Sequence, residues 1–298
     1  MNRRNFIKNT SLAASSIGML PSFLNSEPDF CKKKTKMGLQ MYTLRNEFEK
    51  DLPGTLQKIA ELGYTTLELA GYDEGKIFGA SPVDFKRMLI NAGLNVVSGH
   101  VLTGRQSPNK PRTMVNDFER VIDDMKAIDQ KYIVCAWLFP EERSCLDDYK
   151  KLAALLDKCA EKCQKYGIVF AYHNHDFEFE PINTVVPYNV LLRETDSDLV
   201  KFEMDMYWMK KANQNPVKYF EQYPNRFPLW HVKDMDKKDS SKFAEVGQGS
   251  IDFGSLFANK EKAGLKYFFV EQDDCYERPP LDSIKMSFDY LKTKNFFK

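Results

Sequence analysis

The sequence predicts a single-domain (β/α)8 barrel, and three observations lead to this prediction. Eight short apolar segments with strand character follow one another over about 260 residues, and segments with helical periodicity separate them. Polar residues collect where these apolar segments end, which is the end at which such a barrel carries its active site. No glycine-rich phosphate loop follows the first strand, which disfavours the alternative, a doubly wound open sheet.

The strands are predicted from short runs of apolar residues bounded by turn residues. The run at 168–170, for example, consists of isoleucine, valine and phenylalanine, which is typical of a buried parallel strand. It leads directly into two histidines at 173 and 175. In chain order, the eight strands are predicted at residues 37–44, 64–69, 95–100, 132–137, 168–175, 200–205, 227–231 and 265–271.

Predicted helices alternate with these strands. One helix begins at Ser81 and Pro82, because serine caps a helix and proline fits its first turn, and it ends at Gly93. A glycine that ends a helix and precedes an apolar strand recurs at positions 63, 93, 167 and 264, which indicates a repeated helix–strand unit. The other helices are predicted at residues 52–62, 113–129, 146–166 and 281–293.

Composition restricts the classes of function. The chain has 298 residues, of which 43% are hydrophobic, enough for one large core. A net charge of +1 gives no indication of electrostatic binding to nucleic acid. No run approaches the roughly 18 apolar residues that a membrane-spanning helix needs. The 6 cysteines fit neither a zinc ribbon nor a CxxC redox motif.

The first thirty residues resemble a twin-arginine export signal. Arg3 and Arg4 precede an aromatic residue, an aliphatic residue and a lysine, and small and apolar residues continue to Leu20. The alternative is an ordinary basic tail. We expect residues 1–30 to be a signal peptide and linker, residues 31–298 to be the barrel, and the protein to be periplasmic.

All 4 histidines end strand-like apolar runs, at positions 100, 173, 175 and 231. Scattered core histidines would not all fall at strand ends, so we expect these to meet on one rim of the barrel. His173 and His175 are two residues apart, so on a strand they would share a face. Carboxylates end neighbouring strands, and a buried carboxylate such as Glu271 is costly unless it is paired or metal-bound. Two imidazoles and two carboxylates on adjacent strands therefore favour a divalent metal site.

Five segments resemble the xylose isomerase-like barrel family, in its sugar phosphate isomerase/epimerase branch, which includes ketose 3-epimerases and inosose dehydratases. They are residues 40–45, 173–179, 205–208, 231–234 and 245–253, and the resemblance extends over about residues 36 to 298. It implies a (β/α)8 TIM barrel with one divalent metal ion held by His173, Asp205, His231 and Glu271. Mixed nitrogen and oxygen ligands favour Mn²⁺, Zn²⁺, Co²⁺ or Fe²⁺ over Mg²⁺.

The resemblance also implies catalytic roles. In the family's epimerases, glutamates at the ends of strands 5 and 8 share proton transfer on the two faces of the substrate, and here strand 5 carries His173 instead. This departure disfavours two-base 3-epimerisation and leaves one-base isomerisation, elimination or hydration open. Glu271 is then the expected base, and Lys233 or His175 is expected to handle the oxygen-bound proton.

Four further residues are expected to contact the substrate: Glu68, His100, Trp137 and Trp208. Structural roles are the alternatives, namely a salt bridge for Glu68 and aromatic core packing for the two tryptophans. For the expected catalytic residues, the alternatives are a surface ion pair for Lys233 and a structural hydrogen bond for His175.

The sequence thus favours a metal-dependent carbohydrate isomerase or epimerase that removes a proton next to a polarised oxygen of a small-molecule sugar. The alternative is a lyase or dehydratase that acts on a keto-sugar through the same enediolate chemistry. A metallohydrolase would need more histidines and a phosphate-binding surface. A non-catalytic sugar-binding barrel would hold no metal. An oligomer is compatible with the sequence.

Overall fold

The computed structural model describes residues 36–296, which form a closed barrel of eight parallel strands. Each strand pairs with the next, and β1 also pairs with β8, with Lys36 opposite Tyr267, which closes the sheet. The predicted single-domain (β/α)8 barrel is therefore confirmed. In chain order, strands β1 to β8 are Lys36–Gln40, Thr66–Leu69, Asn95–Val101, Tyr132–Cys135, Val169–His173, Val200–Asp205, Leu229–Val232 and Tyr267–Val270.

Helices surround the barrel, and none of the described helices is both long enough and apolar enough to cross a membrane. The predicted export signal at residues 1–30 lies outside the described residues. In chain order, α1 to α11 are Arg45–Lys50, Leu52–Leu62, Pro82–Ala92, Phe118–Ala127, Leu146–Gln164, Pro187–Glu194, Met206–Lys211, Pro216–Gln222, Phe253–Ala258, Lys260–Ala263 and Pro280–Lys294. Short 3-10 helices cover Met41–Leu44, Pro140–Glu142 and Phe177–Phe179, and two-stranded ribbons join Tyr72–Asp73 to Lys76–Ile77 and Asp234–Met235 to Phe243–Ala244.

Helix α3 shows why the start and stop signals in the sequence were informative. The hydroxyl oxygen of Ser81 accepts a hydrogen bond from the backbone N–H of Asp84, and Pro82 occupies the first helical position. At the other end, Gly93 has a φ of 71°, the left-handed conformation that glycine adopts without steric cost.

Several predicted boundaries differ from the structure, among them the ends of β1 and β5 and the start of α4. Strand β1 ends at Gln40, because the Gln40 side chain accepts a hydrogen bond from the N–H of Tyr42 and so caps a 3-10 helix where a longer strand was predicted. Helix α4 begins at Phe118, after an irregular stretch, and not at residue 113. Strand β5 ends at His173, so His175 lies in the loop beyond it and not on the same strand face.

A small apolar cluster inside the barrel supports the polar residues at its carboxyl end. Its members are buried residues from several strands: Val97, Tyr132, Val134, Ala136, Ala171, Leu229, Tyr267 and Phe269. Two residues beyond Ala171, Leu229 and Phe269 come His173, His231 and Glu271. Because side chains alternate along a strand, these residues share the inward face, and they form the next layer above the apolar cluster.

The loop after β7 is fixed by one buried carboxylate. Asp234 accepts hydrogen bonds from the backbone N–H groups of Gly247, Gly249 and Ile251, with distances of 2.9, 3.0 and 3.0 Å. Gly247 has a φ of 89°. The two glycines thus shape a turn, and the turn holds the chain immediately after Lys233 in place.

Candidate metal centre

The ends of strands β5 to β8 bring four potential ligands together. His173, Asp205, His231 and Glu271 each offer one atom, and these atoms lie within 4.8 Å of one another. Nδ1 of His231 is 2.8 Å from Oε2 of Glu271 and 3.1 Å from Nε2 of His173, which is 3.4 Å from Oδ2 of Asp205. We call these four residues the ligand cluster. They are the residues that the resemblance implied as metal ligands.

The donor set of the ligand cluster fits a divalent ion. Oδ2 of Asp205 and Oε2 of Glu271 are buried and make no well-directed hydrogen bond to any described residue. Buried carboxylates are unfavourable unless positive charge compensates them, and a divalent ion would add to the compensation that the nearby Lys233 ammonium gives. Two imidazole nitrogens and two carboxylate oxygens form the mixed set that Zn²⁺, Mn²⁺, Co²⁺ and Fe²⁺ accept.

Lys233 places a positive charge against the ligand cluster. Its Nζ lies 2.7 Å from Oε2 of Glu271, 3.1 Å from Oδ2 of Asp205 and 2.8 Å from Oδ1 of Asp273. Burial alone would lower the pKa of the Lys233 ammonium, but the three carboxylates outweigh burial and raise its pKa well above its ordinary value. Lys233 therefore remains charged at neutral pH.

On the opposite side of its ring, His231 contacts a second buried group of side chains, which consists of Glu68, Glu203 and His100. Its Nε2 lies 2.5 Å from Oε2 of Glu68 and 3.2 Å from Oε2 of Glu203. Nε2 of His100 lies 3.5 and 3.4 Å from the same two oxygens. When Nε2 of His231 donates its proton to Glu68, Nδ1 is left as the acceptor that faces the ligand cluster.

In this second group, the negative charges of the two glutamates raise the pKa values of the two histidines. Burial alone would lower the pKa of His231, but the carboxylates of Glu203, Glu271 and Glu68 outweigh burial and raise it well above its ordinary value, so a metal ion bound at Nδ1 would displace a proton from that nitrogen. In the same way, Glu68 and Glu203 raise the pKa of His100 to about 9 in spite of burial.

A cavity of about 940 Å³ opens above the ligand cluster. Of the residues predicted to act on or bind the substrate, His100, Trp137, His175, Trp208, Lys233 and Glu271 all line it. Glu68 is fully buried and is not part of the cavity wall. Its contact with substrate stays a prediction, whereas its position beside Nε2 of His231 favours a role in holding that ring.

His175 is held in the cavity wall by aromatic contacts. Its ring is parallel to that of Phe177 at 5.3 Å between centroids, and it lies 4.9 Å from the ring of His173. Burial, together with the neighbouring His173 ring and the charged Lys233, lowers the pKa of His175 well below its ordinary value. His175 is therefore a neutral imidazole at neutral pH.

The loop that carries His175 is anchored by a fully buried carboxyl group. The backbone N–H of His175 donates to Oε2 of Glu178 at 2.8 Å, and the hydroxyl of Tyr172 donates to Oε1 of Glu178 at 2.6 Å. Burial raises the pKa of Glu178 to about 7, although both hydrogen bonds oppose the shift.

Sequence reasoning missed three residues of the site. Glu203 lies two residues before Asp205 on β6. Side chains two residues apart on a strand point to the same face, so this spacing could have predicted Glu203 as part of the site. Gln40 donates from Nε2 to Oε2 of Glu68 at 2.8 Å; it lies in the segment 40–45 that carries the family resemblance, but nothing in the sequence indicated this contact. Asp273 lies beyond β8, and burial raises its pKa to about 6 against the opposing charge of Lys233.

The chain is similar in sequence to proteins of one family. The profile of a family described as xylose isomerase-like TIM barrel matches residues 56–294. An inosose dehydratase of Geobacillus kaustophilus (strain HTA426) is 24% identical over 286 residues, which cover 81% of this chain and 89% of that protein. Five further inosose dehydratases match over 53–56% of their own length.

Solved structures agree with these matches. A sugar phosphate isomerase/epimerase from Parabacteroides distasonis ATCC 8503 has a TM-score of 0.77 and 29% identity, and the match covers 89% of this chain and 100% of that chain. The IolI protein, solved with a bound zinc atom, has a TM-score of 0.70 and 15% identity over 89% of this chain and 99% of that chain, a likeness that shows the shared fold.

Proposed function

This chain belongs to the xylose isomerase-like TIM barrel family, and from that premise we propose that it is a metal-dependent isomerase or epimerase of a small carbohydrate. The observation that carries the proposal is the ligand cluster at the floor of the cavity, with the charged Lys233 beside it. The proposed reaction removes a proton from the carbon next to a carbonyl or carbinol oxygen of the sugar.

The proposed cofactor is one divalent ion held by His173, Asp205, His231 and Glu271. When bound, it would supply Lewis-acid polarisation of the substrate oxygen. The donor set supports Zn²⁺, Mn²⁺, Co²⁺ or Fe²⁺, and the zinc bound by the IolI protein, which shares this fold, supports the first of these.

The side chains of this chain divide the proton transfers among themselves. Glu271 lines the cavity as the carboxylate nearest to Lys233, and we assign it the removal of the C–H proton. The Lys233 ammonium stabilises negative charge as it develops on the substrate oxygen. His175, a neutral imidazole in the same wall, accepts or returns the oxygen-bound proton.

The second candidate function is a lyase or dehydratase that acts on a keto-sugar. One observation favours it: strand β5 ends in His173, where two-base epimerases of the family carry a glutamate. The curated relatives are inosose dehydratases, which supports the same candidate. In this reading Glu271 still removes the C–H proton, and the Lys233 ammonium, the charged acid beside it, supplies the proton with which the hydroxyl group departs as water.

Incubating the metal-loaded protein in D₂O with a panel of free sugars and keto-sugars tests the proposal. An isomerase or epimerase gives a product of unchanged elemental composition with solvent deuterium at the reacting carbon, whereas a dehydratase gives an unsaturated keto-sugar and water. NMR and mass spectrometry distinguish the two products. Hydrolysis products without any C–H exchange would contradict both candidates.

The variant Glu271→Gln is expected to lower kcat by roughly 10²–10⁴-fold, because a positioned general base contributes about that much. Metal content is measured on the same sample, since loss of a ligand also weakens the site. Glu61→Gln, an exposed carboxylate on α2, serves as the matched control and should keep full activity. An unchanged kcat in Glu271→Gln would remove Glu271 as the base.

A further inference from the structure

The cavity offers more room than the reacting sugar ring needs. Its volume of about 940 Å³ lies at the upper end of the roughly 300–1,000 Å³ typical of pockets that enclose drug-sized ligands. The ligand cluster and Lys233 come from β5 to β8 and occupy one side of the floor. A single sugar ring bound there leaves the other side of the cavity unfilled.

Three large apolar side chains on the other side of the cavity are open to solvent. Tyr42, Leu102 and Trp137 follow strands β1, β3 and β4 and line the cavity. They are 42%, 37% and 40% exposed, and they share one cavity. We call these three residues the apolar wall. Apolar side chains grouped in one concave surface mark a place where a ligand removes them from water.

Trp137 is held in place next to the catalytic residues. Its ring meets His175 edge-on at 5.0 Å and Phe177 edge-on at 5.9 Å. The guanidinium of Arg143 lies 3.6 Å from the centroid of the Phe177 ring and adds to the same packed group. An indole that is already positioned loses little conformational freedom when a ligand stacks on it.

We propose that the substrate is a glycoside, with its sugar ring at the ligand cluster and a planar, apolar aglycone against the apolar wall. This inference rests on the proposed function. The 5.0 Å contact between Trp137 and His175 puts the aglycone directly beside the reacting ring. A phosphate in place of the aglycone is disfavoured, because Lys233 and Lys211 are already ion-paired, the latter with Asp176 at 3.2 Å, and the guanidinium of Arg143, which also lines the cavity, packs on the Phe177 ring.

Calorimetric titration of the zinc-loaded protein with phenyl and methyl β-D-glucopyranoside and β-D-galactopyranoside tests this inference. A phenyl glycoside should bind about tenfold more tightly than its methyl partner, because stacking and apolar burial favour the phenyl group. In Trp137→Ala and Tyr42→Ala the phenyl preference should fall about three- to tenfold, and Trp137→Phe should restore part of it. Tyr166→Ala, which removes an aromatic residue that is 41% exposed outside the cavity, is the matched control.

Equal affinity for phenyl and methyl glycosides, including no measurable binding of either, would overturn the inference. So would sedimentation showing that the wild type is a dimer and Trp137→Ala a monomer, because the apolar wall would then be an interface between copies. Metal content and deuterium exchange depend on the ligand cluster and not on the apolar wall. Failure of those two measurements would therefore count against the proposed function, and failure of the phenyl preference against the glycoside alone.

Discussion

His231 is the residue shared by the two buried groups of the candidate site. Nδ1 faces the ligand cluster, and Nε2 faces the carboxylates of Glu68 and Glu203. A histidine that binds metal through one nitrogen usually donates the other to a carboxylate or carbonyl, which fixes its tautomer and orientation. Glu68 occupies that position here, and Gln40 holds Glu68 in turn.

Replacing Glu68 should therefore weaken metal binding without removing a ligand. We expect Glu68→Gln to lower the affinity for Zn²⁺ about 10–100-fold, because the amide holds the His231 ring less firmly. His231→Ala should lower the metal content sharply. Competition with a chromogenic chelator measures both effects.

The matched control is Glu142→Gln, which alters another fully buried carboxylate, one that accepts a hydrogen bond from the N–H of Phe139. It should retain the affinity of the wild type. If Glu68→Gln also binds Zn²⁺ as tightly as the wild type, Glu68 does not orient the ligand.

At the scale of elements, the loop after β5 depends on Glu178. This carboxyl group joins the strand, through Tyr172, to the loop, through the backbone of His175. Its pKa of about 7 in the folded protein exceeds the ordinary value of 4.5, so the folded state binds the proton more tightly than the unfolded state does. This contribution to stability is present below about pH 4.5 and is lost as the pH rises through about 7.

The variant Glu178→Gln mimics the protonated carboxyl group at every pH. Between pH 5 and 8, the free energy of unfolding of the wild type should fall relative to that of the variant by on the order of 3 kcal/mol. Urea denaturation of both proteins across this range measures the difference, and all other titrating groups are common to the two. Parallel pH profiles would show that Glu178 is not buried as a neutral acid.

The elements were predictable where local chemistry decides them, and less so where a side chain reaches across the fold. Ser81 caps the start of α3 and Gly93 caps its end, in both cases through contacts within the helix itself. The sequence was therefore enough to predict both ends of this helix. The end of β1 depends on Gln40, whose side chain bonds both to Tyr42 and to the distant Glu68. No periodicity in residues 37–44 reports that contact.

At the scale of the whole molecule, the alternation of strands and helices was enough to predict the closed barrel, and the barrel was enough to bring the histidines together. The rings of His100, His173 and His231 lie 4.5–5.9 Å apart, as expected from their positions at strand ends. The second buried group was not predicted, because Glu203 sits inside a strand whose neighbours are apolar. Its partner Glu68 was predicted to contact the substrate, but no signal in the sequence indicated its contact with Nε2 of His231.

Delivery of the protein is also a whole-molecule property, and we propose that Arg3 and Arg4 direct export to the periplasm. Changing both to lysine should keep the protein in the cytoplasm, because the receptor reads the arginine pair. Fractionation of cells that express each form measures the distribution. The control carries lysine at Arg45 and Arg87, two arginines of the barrel, and should be exported as the wild type is. Periplasmic delivery of the doubly substituted signal would contradict the proposal.

The pairing of β1 with β8 has a consequence for the order in which the protein can form during synthesis. Lys36 and Tyr267 stand at opposite ends of the barrel sequence, so the ribosome makes the last partner strand long after the first. Until then, β1 exposes one unpaired edge, and exposed strand edges are where nascent chains associate wrongly. All four residues of the ligand cluster also come from the second half of the chain. The ligand cluster therefore cannot assemble before the late strands emerge from the ribosome.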